Sequence, residues 1–236
     1  MKKRFNIFDP SKCRNCWVCY LDLLGFKQLV RAEVMNAVHR YYQSRETVEY
    51  WCQRMQRLRL VCWSDSFVIY SDDDSAAAFW QMEQAVRWII NEHLGWHIPI
   101  RGALSCGEVY ADEEDDIHIG TALIEAYEHA ENQNWVGFLL CRSATQRLVK
   151  LKPAPSGRLN YRRWKIPWSR KRPELKPLYV YLIGASCAAR GRNAHLEILR
   201  QMMSSAQSRR DRNKYREVIR FLEHYGVMRA VRRSEK

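Results

Sequence analysis

WVCYLDLLGF (residues 17–26) is an apolar, β-prone run interrupted by one carboxylate, Asp22, and LVCWSDSFVIY (residues 60–70) echoes it with Asp65. Burial of a lone carboxylate in a sheet is unfavourable unless a cation or hydrogen bonds compensate it. Gly25 follows Asp22 at a place where a tight turn can present backbone N–H groups to an anion. The pattern predicts that strand ends bring the two carboxylates together around divalent metal, although either Asp can instead cap a strand or start a turn.

Hydrophobic periodicity places the other elements around these two runs. It predicts an α+β fold, in which a mainly antiparallel sheet has helices packed against it and C-terminal helices follow. Residues 151–177 are interpreted as irregular loop flanking a short strand. The expected strands cover residues 17–24, 58–63, 66–71, 98–104, 107–111, 135–141 and 178–183, and the expected helices cover 27–56, a stretch from the cap at 71–75 to Gly95, and 121–132.

The composition changes after Gly184, where apolar side chains at helical spacing predict two amphipathic helices separated near residues 204–208. We therefore expect a short N-terminal segment at 1–14, a single domain at 15–183 and a basic helical extension at 184–236. The apolar positions of the two C-terminal helices are Leu196, Leu199 and Met203 in the first, and Tyr215, Val218, Ile219 and Leu222 in the second.

The formal net charge of +13 favours polyanionic partners, such as a nucleoside triphosphate, nucleic acid or an acidic membrane. Basic residues concentrate in 158–176 and again in 190–236, and we interpret the second block as solvated surface. No apolar run reaches the length that spans a bilayer, and the N-terminus lacks the apolar stretch of a signal peptide. The expectation is a cytoplasmic protein without a membrane partner.

Three of the eight cysteines, Cys13, Cys16 and Cys19, form a C-x-x-C-x-x-C run. Such a run can bind zinc or an iron–sulfur cluster. Cys19 falls within the expected first strand, however, and no second Cys/His group supplies a fourth ligand at the usual spacing. Buried or incidental thiols are the favoured interpretation.

Four segments, in this order along the chain, resemble the catalytic domain of class III nucleotide cyclases. YLDLLGF (20–26) resembles the first metal motif of that family, and WSDSFVIY (63–70) resembles the second. IRGALSCGEV (100–109) is similar to its glycine-punctuated strand pair, and IGTAL (119–123) to the segment that runs into a helix. The resemblance covers residues 15–183, and the chain most resembles the pyrimidine cyclases of bacterial Pycsar antiphage systems.

The resemblance implies a class III cyclase-like sandwich that converts a nucleoside triphosphate into a 3′,5′-cyclic nucleotide and pyrophosphate. It implies two divalent ions per site, Mn²⁺ or Mg²⁺, for which carboxylate oxygens are suitable ligands. Asp22 and Asp65 would be the catalytic metal ligands, and the backbone carbonyl of Leu23 would complete one coordination shell. The residues expected to meet the triphosphate are Gly25, Phe26 and Lys27.

The sequence departs from the purine cyclases at two positions that hold the ribose and the transition state and at one that selects the base. Ile124 and Glu128 stand where those enzymes carry an Asn and an Arg, and Val61 stands where they carry a purine-selecting polar residue. Tyr50 and Arg101 are the expected base-binding residues. Since arginine offers donors but no acceptor, it suits a uracil carbonyl better than the cytosine amino group, which favours UTP over CTP.

Structural roles stay open for both base-binding candidates. Tyr50 can be ordinary helix packing, and Arg101 can form a salt bridge in the region of Glu108, because an arginine in a strand needs a partner. A cation from the basic segment 158–176 is also expected at the triphosphate. The candidates for that cation are Lys165, Arg170 and Lys171.

The leading interpretation is a uridylate cyclase that makes cyclic UMP as a second messenger for phage defence, read by a cyclic-nucleotide-binding effector. The resemblance also implies a head-to-tail homodimer whose sites are shared between protomers. Two enzyme alternatives are a cytidylate cyclase and a purine (adenylate or guanylate) cyclase. An alternative of another class is a non-catalytic, basic nucleic-acid-binding protein, which would bind in a strongly salt-dependent manner and would not need the two carboxylates.

Overall fold

A strand that is buried on both faces, β1 (Cys13–Leu23), lies within an eight-stranded sheet and carries Asp22 near its end. The computed structural model describes residues 9–151, 160–169, 177–184 and 189–227. Every residue of β1 from Cys16 onward is buried, because the strand pairs with neighbours along both edges and is covered on both faces. The continuous apolar run of the sequence is thus the central part of the core.

The sheet is mainly antiparallel, in the order β2-β3-β1-β4-β6-β8-β7, with β5 paired to β4. Only the β4–β6 pair among these is parallel. The α+β class that the sequence predicts is confirmed. The remaining strands are β2 (Leu58–Trp63), β3 (Ser66–Ser71), β4 (Ile100–Asp112), β5 (Ile117–Gly120), β6 (Gly137–Leu140), β7 (Tyr161–Trp164) and β8 (Leu178–Tyr181).

Helices pack against this sheet and cover its apolar residues. The helix α3 (Ala76–Gly95) begins at Ser75, whose side chain accepts a hydrogen bond from the N–H of Ala78 (3.2 Å). Its predicted apolar face, which includes Phe79, Met82 and Ile89, is buried. The other helices are α1 (Phe26–Ala32), α2 (Val34–Gln53), α4 (Thr121–Asn132), α5 (Arg142–Leu151), α6 (Ala189–Ser205) and α7 (Arg209–Leu222).

The hairpin of β2 and β3 and the helix α4 have the bounds that the sequence predicts, but two other expectations were wrong and two elements were missed. The single helix expected over 27–56 is broken at Glu33, whose backbone is extended. The two strands expected at 98–104 and 107–111 form one continuous strand, β4. Neither β5 nor α5 was predicted, since each is short and α5 buries only Ala144 and Leu148 fully.

The two C-terminal helices separate where the sequence predicts and pack onto the core. Leu196 and Leu199 of α6 are buried, as are Val218 and Phe221 of α7. The Phe221 ring lies 5.6 Å from that of Trp135, measured between centroids. Among the described residues, no helix is both long and apolar enough to cross a bilayer.

Candidate active site

Asp22 lies at the end of β1, between the last residues of two neighbouring strands. Its register partners are Ser66 of β3 on one side and Arg101 of β4 on the other. Directly opposite residues of an antiparallel pair project from the same face of the sheet, so Arg101 and Asp22 meet. The chain thus places one carboxylate, 7% exposed as a whole residue, at an open end of the sheet.

Asp65 reaches the same place from the turn of the β2–β3 hairpin. Ser64, the other turn residue, has a positive φ of 55°. The backbone N–H of Leu23 donates to the carbonyl of Asp65 (3.1 Å), which fixes the turn beside the end of β1. The two carboxylates, 43 positions apart in the sequence, are therefore held together by backbone hydrogen bonding.

A tight turn joins β1 to α1 next to the carboxylates. Gly25 has φ 84°, a left-handed conformation that residues with a side chain rarely adopt, and it is the N-cap of α1. The N–H of Leu24 donates to the carbonyl of Pro99 (2.9 Å) and anchors the turn to the strand beside it. Phe26 and the exposed Lys27 form the start of the helix.

Arg101 is held by hydrogen bonds and ion pairs to neighbouring protein groups. Its Nε donates to Asp22 Oδ2 (2.7 Å), and its Nη2 donates to Glu131 Oε1 (2.6 Å). Its Nη1 donates to the backbone carbonyl of Glu131 (2.9 Å). An acidic partner for this arginine was expected near Glu108, but the ion pairs are formed with Asp22 and Glu131.

Burial raises the pKa of Asp22 to about 6, although the adjacent Arg101 guanidinium acts in the opposite direction. The neighbouring carboxylates of Glu131 and Asp65 raise that pKa further. Desolvation therefore outweighs the ion pair at this carboxyl. Additional positive charge at this position would favour the ionised form of Asp22.

These groups line one cavity of about 640 Å³. All of the predicted metal and triphosphate residues face it, and so does Arg101. Tyr50 does not, since its half-exposed ring lies on α2 with its hydroxyl accepting from Arg54 Nη1 (3.1 Å). The predicted residues of the lining are Asp22, Leu23, Gly25, Phe26, Lys27, Asp65 and Arg101.

The cation expected from segment 158–176 is not found in the lining of this cavity. Lys165 is exposed and does not line it, and Arg170 and Lys171 lie outside the described residues. The basic side chains that sequence reasoning missed come from the first turns of α7, in the block that was interpreted as solvated surface. The cavity residues that were not predicted include Tyr127, Glu131, Ser208, Arg210, Asp211 and Lys214.

The oxygen atoms that line the cavity are suitable ligands for divalent metal ions. Arg101 occupies one oxygen of Asp22, Oδ2. The Asp65 side chain has no hydrogen-bond or ion-pair partner among the residues that the structure describes. Carboxylate and carbonyl oxygens are hard ligands of the kind that Mg²⁺ and Mn²⁺ prefer, and sulfur and imidazole are absent from the lining.

A second group of potential ligands lies apart from the cavity, at Glu125, His129 and Cys141, whose ligand atoms lie within 4.8 Å of one another. Each of these three residues already has a hydrogen-bond partner in the protein. The Glu125 carboxylate accepts from the Ser143 hydroxyl, and His129 Nδ1 is bonded to the Glu125 carbonyl (2.8 Å). Burial holds the pKa of the Cys141 thiol well above its usual range. This group is accounted for by its internal hydrogen bonds.

The overall architecture matches solved nucleotide cyclase structures. The chain is similar to adenylate cyclases from Trypanosoma brucei in their monomeric state, with a TM-score of 0.52, 13% identity, and coverage of 78% of this chain and 94% of the other. The catalytic core of a rhodopsin-guanylyl cyclase with converted specificity, in complex with ATPαS, gives a TM-score of 0.56 at 13% identity over 71% and 95% of the two chains. The adenylyl cyclase CyaB from P. aeruginosa gives 0.50 at 12% identity over 72% and 93%.

No family model and no curated protein matches the sequence. At these low identities the similarity establishes the fold alone. The class III cyclase-like sandwich that the sequence predicts is thereby confirmed.

Proposed function

We propose that this protein is a nucleotidyl cyclase that prefers UTP and releases 3′,5′-cyclic UMP and pyrophosphate. The observation that carries the proposal is the convergence of Asp22 and Asp65 on one cavity, at the end of a buried strand and beside the Gly25 turn. Two carboxylates at such a place are costly to bury together unless positive charge compensates them.

In the reaction, the 3′ oxygen of the ribose attacks the α-phosphorus, the bond from the α-phosphorus to the bridging oxygen of pyrophosphate breaks, and the hydroxyl proton passes to solvent. Divalent ions bound at the two carboxylates would activate the hydroxyl and neutralise charge on the leaving group. The protein's part is to hold Asp22 and Asp65 in fixed positions. The backbone bond from Leu23 to Asp65 and the ion pair from Arg101 to Asp22 do so.

The triphosphate is assigned to the wall formed by Gly25, Phe26 and Lys27. The left-handed turn at Gly25 starts α1, where unpaired backbone N–H groups and the positive end of the helix dipole favour an anion. Lys27 adds a charge on the exposed first turn of this helix. The same cavity is lined by the metal carboxylates, so a triphosphate bound at this wall lies beside Asp22 and Asp65.

The preference for a pyrimidine rests on apolar residues at two positions that are polar in the purine cyclases that the sequence resembles. Val61 of β2 and the exposed Ile124 of α4 offer no hydrogen bonds to a purine edge. A site that leaves buried polar groups of a substrate unpaired rejects it by a large factor. Since Arg101 is committed to Asp22 and Glu131, Tyr50 is the stronger of the two candidates for contact with the base.

We also propose a homodimer in which a second protomer completes each site. Tyr50 does not line the cavity that holds the metal carboxylates, so we assign its contact with the base to the site of a second protomer. Large apolar side chains are exposed near the hairpin turn, on α2, on β5 and on α4, as a contact surface requires. They include Val34, Met35, Tyr42, Trp63, Ile119, Ile124 and Tyr127.

The cyclic nucleotide would act as a second messenger for a separate effector in antiphage defence, as in the systems that the sequence resembles. Purified protein incubated with equimolar ATP, GTP, CTP and UTP plus Mn²⁺ tests the enzymatic part. We expect cyclic UMP to exceed cyclic AMP and cyclic GMP by at least about tenfold, about 1.4 kcal/mol in the specificity ratio. Chromatographic separation of the products gives the ratio directly.

Two variants complete the experiment. Asp65→Ala should lower product formation by about a hundredfold or more, because it removes a ligand of the ions that carry the chemistry. Asp9→Ala removes an exposed carboxylate outside the cavity and should leave the rate unchanged. A dominant purine product would replace the uridylate assignment with the purine alternative. Salt-dependent nucleic-acid binding without any cyclic product would instead support the nucleic-acid-binding alternative.

A further inference from the structure

The first turns of α7 form part of the wall of the cavity that contains the metal carboxylates. Arg210 and Lys214 both line this cavity together with Asp22 and Asp65. Both belong to the basic C-terminal segment, which is not part of the motifs that resemble cyclases. Two cations at a cavity that also holds several carboxylates need a physical explanation.

The helical period explains why these two cations lie on the side of α7 that borders the cavity. Arg210, Lys214, Val218 and Phe221 are spaced by four, four and three residues, so they lie along one side of α7. Val218 and Phe221 are buried in the core. The side of the helix that packs onto the domain therefore continues, two turns earlier, as the side that faces the cavity.

The helix is anchored strongly enough to hold these side chains in place. The Phe221 ring lies 5.5 Å from that of Trp164 and 5.6 Å from that of Trp135. Beyond the helix, the Tyr225 hydroxyl donates to the Arg163 carbonyl (3.0 Å). At the other end, Ser208 caps the helix by accepting from the N–H of Asp211 (3.0 Å).

The ion pairs within the cavity leave one of these cations uncommitted. Arg101 is paired with Asp22 and Glu131, and Lys214 is paired with Asp211 (2.9 Å). Arg210 is exposed and has no ion-pair partner among the described residues. An arginine offers a planar fork of donors that matches two oxygens of a phosphate group.

We infer that Arg210, with Lys214 beside it, binds the terminal phosphates of the nucleotide, an inference that rests on the proposed cyclase function. The α-phosphate lies at Asp22 and Asp65, and the β- and γ-phosphates extend between the start of α1 and the start of α7. Positive charge there stabilises the departing pyrophosphate. The C-terminal helices are then part of the catalytic unit rather than an independent extension.

Binding of inorganic tripolyphosphate in Mg²⁺, measured by calorimetry, tests this directly, because the probe has no base or ribose. The Arg210→Ala variant loses one charged bidentate contact at an exposed site, so it should bind tripolyphosphate about tenfold more weakly than wild type. Arg210→Lys, which keeps the charge but not the fork, should lose less. The matched control is Arg209→Ala, a neighbour on the same turn that is also exposed but does not line the cavity, and it should change the affinity less than twofold.

Equal losses in the Arg209 and Arg210 variants would show a general effect of charge and overturn the inference. The inference would also be overturned if the Arg210→Ala variant bound tripolyphosphate as tightly as wild type, while the protein cyclised a nucleotide in a reaction that required Asp65. The proposed function would stand in both cases. If the wild-type protein neither binds tripolyphosphate nor yields a cyclic nucleotide, the proposed function fails and the inference fails with it.

Discussion

Replacement of Arg101 by alanine separates a structural role of this residue from a role in base recognition. The Arg101 and Asp22 side chains are 15% and 10% exposed, and their ion pair is 2.7 Å long. Removal of one partner of a buried pair typically costs about 3–5 kcal/mol, because the other charge is left uncompensated. Because the pair borders an open cavity, we expect a cost at the lower end of this range. Arg101→Ala should lower the free energy of unfolding by about 3 kcal/mol.

The Arg45–Glu49 pair provides a matched control. It has a similar length, 2.6 Å, but its side chains are 46% and 35% exposed. Exposed pairs contribute between roughly 0.2 and 1 kcal/mol, so Arg45→Ala should have a small effect. The two pairs have similar lengths, so the comparison shows how much more a buried and additionally hydrogen-bonded pair contributes than an exposed one.

Urea unfolding of the metal-free proteins, followed by tryptophan fluorescence, gives both free energies. A double-mutant cycle with Asp22→Ala measures the coupling, which we expect to exceed 1 kcal/mol, since the two groups are in direct contact. If Arg101→Ala costs no more than Arg45→Ala, the structural role is refuted. A changed preference among nucleotides at unaltered stability would then restore Arg101 as a base-reading residue.

Two further predictions concern assembly and pH. If sites are shared, a mixture of Asp22→Ala and Tyr50→Ala proteins should recover activity that neither has alone. A mixture of Asp22→Ala and Arg101→Ala proteins should not, because Arg101 lies beside Asp22 in one chain. Equal recovery of activity in both mixtures would contradict this assignment. His93 is fully buried, and burial lowers its pKa to about 4. Below pH 6.5 the unfolded chain therefore binds a proton that the folded chain does not, and stability falls. Between pH 7 and pH 5, wild type should lose about 2 kcal/mol more than His93→Leu in urea unfolding; parallel pH profiles would refute this.

The sequence predicted the elements whose signals are local. The β2–β3 hairpin has the predicted bounds, because two apolar runs flank a two-residue polar turn at Ser64. The break between α1 and α2 at Glu33 was missed, since neither Gly nor Pro marks it. The sequence also predicted a break in β4 near Gly107, and this prediction was wrong. A Cβ at Gly107 would lie 3.6 Å from that of Ala122, so this glycine lies where α4 approaches an uninterrupted strand.

The site itself could be predicted only where its residues lie in motifs. Asp22, Gly25 and Asp65 come from two short segments, and they line one cavity. The partners of Arg101 could not be identified, because register between strands decides them. Arg101 lies opposite Asp22 only because β1 and β4 pair in that register, which brings together residues 79 positions apart.

The two cavity-lining cations of α7 were not predicted, because the helical periodicity was followed only through apolar residues. That pattern begins at Tyr215 and passes through Val218 and Leu222, and it predicts a helix that packs through its second half alone. The same period extended toward the N-terminus reaches Lys214 and Arg210. A cation on the packed side of an amphipathic helix faces other protein groups or a cavity, whereas one on the opposite side faces water. The position of a charge relative to the apolar stripe is therefore more informative than the net charge of the segment, and it separates Arg210 from Arg209.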